Sequence, residues 1–91
     1  MKMNVSGVTY QVDFFHMRKD KPEHTLCIIE YTNSSGELVR KSLGNAILSD
    51  SDQYNRKKGR KVAFARALKS ANFNKLERTS LWNQYFQYCN L

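Results

Sequence analysis

From Val8 to Phe14 the chain reads "VTYQVDF", with Val8, Tyr10, Val12 and Phe14 alternating against Thr9, Gln11 and Asp13. A period of two is the spacing at which one face of a β-strand is buried and the other wetted. Past residue 52 the rhythm changes. Tyr54, Phe64, Ala65, Leu68 and Ala71 gather on one side only when wound at about 100° per residue, as on an amphipathic helix. A chain of 91 residues can bury one core and is too short for two independent ones, so strands and helices must share it. The expectation is an α+β fold in a single domain, 1-91.

Between the two rhythms, "RKDKPEH" interrupts the first strand with charge and with Pro22, whose fixed φ and missing N–H suit a connection. "TLCIIEYT" is rich in β-branched and aromatic residues and predicts a second strand. "NSSGE" supplies Asn33 and Gly36 for a hairpin loop. "LVRKSLGNAIL" then returns as a third strand that bulges or ends near Gly44. Asp52 is the best N-cap for a helix over about 53–71, on which Lys57 and Lys61 project toward the apolar side. Gly59 costs such a helix about 1 kcal/mol relative to alanine, which points to close approach of its backbone to a packed strand or a ligand. Asn74 and Glu77 spell a capping box that opens a last helix, "KLERTSLWNQYFQYC". Leu81, Trp82, Tyr85, Phe86 and Tyr88 give that helix so much aromatic area that most of it is expected to be buried. The predicted order is β-β-β-α-α: a three-stranded antiparallel sheet followed by two helices packed on one face.

Composition narrows the function. No stretch approaches the roughly 20 apolar residues of a membrane-spanning helix, and "MKMNVSGVTYQVDFF" lacks the apolar run of a signal peptide. A cytoplasmic protein with no membrane partner is expected. Cys27 and Cys89 form no CxxC or Cys/His cluster and read as two free thiols. His16 and His24, near Asp13 and Asp20, lack the i, i+4 spacing of helical metal ligands. No cofactor or metal is implied. The net charge is +7, and residues 53–75 hold eight bases and no acid, against seven bases and eight acids elsewhere.

Seven of those bases, Arg56, Lys57, Lys58, Arg60, Lys61, Arg66 and Lys69, are the candidate contact residues for nucleic acid or a host ribonucleoprotein. The competing reading of the same residues is a solvated helix face, with Arg60 expected to be structural. Tyr10, Phe14, Phe15, Tyr31, Trp82, Tyr85 and Tyr88 could stack on unpaired bases, although a domain this small needs such side chains in its core. Phe15 stands apart, because it falls on the Thr9, Gln11 and Asp13 face of its strand. An enzyme, such as a small nuclease using His16 or His24 with a carboxylate, is the rival class, and a virion structural or assembly protein the third.

"DQYNRKKGRKVAFARALK" followed by "LERTSLWNQYF" resembles small uncharacterised proteins encoded by bacteriophages of firmicutes. In these a β-meander leads to an Asp-x-aromatic-Asn-x-x-x-Gly-Arg pattern, an alanine-rich helix and a closing "RTxxWxxYF" helix. The matching residues are Asp52, Tyr54, Asn55, Gly59, Arg60, Ala63, Arg66, Ala67, Leu68, Arg78, Thr79, Trp82, Tyr85 and Phe86. Where those proteins approach the Asp through a Cys-His-Pro type segment, this chain has "LSDS". The resemblance implies a phage accessory protein, acting in the cytoplasm of an infected bacterial host, and supplies no established activity; the expectation is a non-enzymatic protein that works by binding. Anti-CRISPR inhibitors of defence ribonucleoproteins are one such group.

Overall fold

The computed structural model describes residues 1–17, 24–47 and 56–89, with the side chain of Arg56 outside that set. Strands β1 (Lys2–Val5), β2 (Val8–Met17), β3 (His24–Thr32) and β4 (Leu38–Ile47) precede helices α1 (Arg56–Ser70) and α2 (Lys75–Cys89). Every neighbouring strand pair is antiparallel, and the sheet runs β1-β2-β3-β4. The α+β class and the meander stand. The sheet has four strands, however, where three were expected. β1 is only four residues long, with Met3 and Val5 as its whole buried set, too short a pattern to stand out. Ser6 and Gly7 turn it into β2 with φ of 52° and 78°, the pair of positive values that a two-residue hairpin loop demands. Asp52 and Tyr54 lie outside the described residues.

Alternation decides the two faces. Tyr10 and Val12 of β2, Thr25, Cys27 and Ile29 of β3, and Ser42 and Ala46 of β4 are buried. They pack with Ala63, Phe64, Ala67 and Leu68 of α1 and with Leu81 and Tyr85 of α2. Phe15 lies on the opposite face and is 45% exposed. β4 neither ends nor bulges at Gly44. Its register shift comes earlier, where Ile29 pairs with Ser42 but Glu30 with Arg40.

Gly44 has another purpose. A Cβ built there would collide with the backbone carbonyl of Ala63 and amide of Ala67, so α1 rests on β4 backbone to backbone. Beside it the Ser42 hydroxyl donates to the Ala67 carbonyl at 2.9 Å. Gly59 repeats the device one strand over, since a Cβ would stand 2.6 Å from Thr25 Oγ1. A packed strand is what Gly59 admits.

α2 begins in the expected capping box. The Glu77 N–H donates to Asn74 Oδ1 at 2.8 Å, and the Asn74 N–H donates to Glu77 Oε1 at 3.1 Å. The helix then runs beside the outer edge of β1. Gln84 accepts the Asn4 N–H at 2.8 Å and donates to the Asn4 carbonyl at 2.7 Å. The Tyr88 hydroxyl donates to the Lys2 carbonyl at 2.9 Å. A bare strand edge invites pairing with other chains, and these side chains occupy it.

Two stability outcomes follow. Overpacking a core costs about 1–3 kcal/mol or more, and about 1 kcal/mol moves the Tm of a domain this size by roughly 4–8 °C. Gly44→Ala should therefore lower the Tm by about 10 °C. Gly59→Ala should cost less, because the helix regains about 1 kcal/mol of propensity. Equal melting of Gly44→Ala and the parent would contradict the backbone seam. Gln84→Ala removes two hydrogen bonds to a strand edge and should cost about 1 kcal/mol in a denaturant titration, whereas Gln87→Ala, at an exposed position, should cost almost nothing.

Candidate polyanion-binding surface

The two layers of the molecule carry different charge. Residues 56–89 contain nine of the fifteen bases and a single acid, Glu77. That acid is spent on Asn74 and on the Ser6 hydroxyl, which donates to its carboxylate at 3.3 Å. The described strands and hairpins hold Lys2, Arg40 and Lys41 against Asp13, Glu30 and Glu37. The positive field therefore belongs to the helical side of the fold.

Of the seven expected contact residues, Lys57, Lys58, Lys61, Arg66 and Lys69 are exposed and Arg60 is half-buried. Arg56 opens α1, with its side chain outside the described set. At helical spacing Lys58, Lys61 and Lys69 share one stripe with Ala65, and Lys57 lies beside it. Arg66 leaves this stripe, and its Nη1 donates to the Asn45 carbonyl of β4. Lys61 and Lys57 face the apolar side because α2 stands there: Lys61 Nζ lies 5.5 Å from the centre of the Phe86 ring.

Arg60 turns inward. Among the described residues, neither its Nε nor the Tyr85 hydroxyl finds a hydrogen-bond partner of ordinary geometry, although Cys89 and Arg60 lie close enough to act on Tyr85. Burial, reinforced by the Cys89 thiol and opposed by the Arg60 guanidinium, pushes the Tyr85 hydroxyl up to about 12. The expected structural role of Arg60 has a physical basis in this position between α1 and α2.

The helices themselves are held apart by rings. Phe64 stacks on Tyr85 at 4.9 Å between centres and meets Trp82 edge-on at 4.9 Å. Trp82 in turn stacks on Phe86 at 5.6 Å. The aromatic burial expected of α2 is only partly realised. Leu81 and Tyr85 are buried, Trp82 is half-buried, and Phe86 and Tyr88 are exposed. The reason is that α2 flanks β1 at the end of the sheet, so much of its circumference meets water.

Between the C-terminal half of α1 and the N-terminal half of α2, a groove of about 490 Å³ opens over Ala65, Leu68 and Trp82. Its polar lining is Lys69, Lys75, Arg78 and Thr79. Lys69 is the one predicted contact residue in it. Lys75, Arg78 and Thr79 were not among the expected contact residues, and Trp82 was named as a possible stacking residue but weighted toward the core. Arg78 and Trp82 stand i, i+4 on one helix face, a legible signal, but their opposition to Lys69 depends on the turn through residues 71–74.

His16 Nδ1 lies 3.0 Å from Thr25 Oγ1. Among the described residues, no group of three or more His, Cys, Asp or Glu side chains could hold a metal ion. Asp20 is outside them. No helix among them is long and apolar enough to cross a membrane. Cys27 and Cys89 are both free thiols. Burial, and secondarily Asp13, pushes the Cys27 thiol up to about 12.

No protein-family model, curated protein or solved structure matches the chain.

Thiolate, not thiol, is the reactive form of cysteine. In the native protein at pH 8, Ellman's reagent should titrate Cys89 quickly and Cys27 only on unfolding in guanidinium. Immediate reaction of both would contradict the burial of Cys27. Cys27 and Tyr85 have folded values raised above 9.0 and 10.0, so the neutral groups add stability below those values. That stability is lost as pH climbs toward about 12, with a slope of up to roughly 1.4 kcal/mol per pH unit for each group. Tyr85→Phe should therefore leave the Tm near pH 7 almost unchanged and shallow its alkaline fall.

Proposed function

We propose that the protein is a non-enzymatic binding domain whose helical layer docks on nucleic acid or on a nucleic-acid-containing complex. The observation that carries this reading is the separation of charge: nine bases and one engaged acid on the helical side, against balanced charge on the described sheet. Lys58, Lys61 and Lys69 lie along about 17 Å of helix axis at 1.5 Å per residue, the length over which one DNA strand presents about five phosphates. α1 offers them no acid for intrahelical pairing. Their charges add to the positive field that a polyanion would meet on this side, and binding would release its counterions. A protein imitating nucleic acid would need the opposite sign. The likeness of the C-terminal helices to bacteriophage accessory proteins supplies the setting, an infected bacterial cytoplasm, with a CRISPR-type defence ribonucleoprotein as the complex to be inhibited.

Binding to duplex DNA should weaken linearly in log salt, with a slope of about −0.9 per phosphate neutralised. Lys57→Glu with Lys69→Glu should cost at least about tenfold in affinity, or about 1.4 kcal/mol. The melting temperature should hardly move, since exposed positions contribute little to stability. Lys2→Glu with Arg40→Glu makes the same change of net charge on the sheet side. Equal losses in the two double variants would show that only overall charge matters. No loss in either would make α1 a solvated face.

A further inference from the structure

The α1–α2 groove differs chemically from the lysine stripe that leads into it. Its cations stand on both walls, Lys69 on α1 and Lys75 and Arg78 on α2, and its lining includes an aromatic ring and no carboxylate. At about 490 Å³ it is an open surface groove rather than an enclosed pocket, a shape that leaves a long ligand room to enter and leave. Trp82 is pre-positioned there, with Phe64 and Tyr85 packed at near right angles to its ring and Phe86 stacked on it. A ring already fixed by packing loses little freedom when a ligand settles against it.

We infer that this groove takes one unpaired base of a single-stranded nucleic acid, with Trp82 as its stacking partner and Lys69, Lys75 and Arg78 on the flanking phosphates. The inference rests on the polyanion reading above and deepens it. Within a duplex both faces of a base are covered by its neighbours, so only a single-stranded or extruded base can meet Trp82. Cations on opposite walls suit a strand that dips into the groove and leaves it. The exposed Phe86 under Lys61 extends the same pairing of ring and cation toward the N-terminus of α1.

Trp82 is the sole tryptophan of the chain, so its fluorescence reports on this groove. The full chain is titrated with an oligothymidylate of about ten nucleotides, with an abasic strand of equal length and charge, and with a duplex of equal length. The expected result is saturable quenching by oligothymidylate alone and binding at least about tenfold tighter than to the abasic strand. Lys75→Glu with Arg78→Glu, at exposed positions, should abolish the quenching and cost at least about tenfold in affinity. The comparison of ligands needs no substitution of Trp82 itself. Equal affinity for all three ligands without quenching would overturn the base-binding groove and leave the polyanion reading intact. Failure of all three to bind would sink both. Quenching that survives in the Lys75 and Arg78 double variant would overturn the assignment of the phosphates to these cations.

Discussion

The close approach of α1 to β4 at Gly44 is the constraint on which the rest of the molecule depends. Where a strand glycine meets Ala63 and Ala67, helix and sheet come together with no side chain between them. Packed interiors leave few voids, so contacts of this kind fix a position rather than a region. The Ser42 hydroxyl on the Ala67 carbonyl and Arg66 on the Asn45 carbonyl pin the same seam. With one flank of α1 committed to the sheet and another to α2, its lysine-rich stripe turns to the outside of the fold.

The other side of α1 is built on the opposite principle. Phe64, Trp82 and Tyr85 interpose rings between the two helices. A tight seam on one side and a bulky one on the other leave a groove above the rings, with cations at its rim. Its polarity follows from the sequence, because the sole acid of the helical layer is engaged at the N-terminus of α2. A carboxylate placed among Lys69, Lys75 and Arg78 would have made an ordinary surface ion pair, worth about 1 kcal/mol or less, and removed the field.

Features encoded locally were legible in the sequence. β2 and β3 announce themselves by alternation and β-branched content, Asn74 and Glu77 by capping-box spacing, and Phe15 by its parity. β1 was hidden by its length, although "SG" between valines is a hairpin signal in hindsight. Gly44 was read as the place where a strand bulges or ends; the register shift falls instead at Lys41, and the reason for the glycine lay on a helix about twenty residues downstream. Gly59 was read correctly as a point of close approach, but its partner, Thr25, was invisible from local sequence. The basic stripe was evident from composition. The groove was not, since Lys69 and Arg78 belong to different helices and meet only after the chain reverses.

The hold of Gln84 and Tyr88 on β1 joins residues that are eighty or more positions apart in the chain. At a synthesis rate of roughly 5–20 residues per second, a nascent chain spends several seconds with its first strand made and the side chains that will cover it not yet polymerised. During that interval the edge lacks the side chains that cover it in the finished fold, the condition under which a strand can pair with another chain. Completion of the final helix thus marks the moment at which the growing polypeptide ceases to be a template for its own kind.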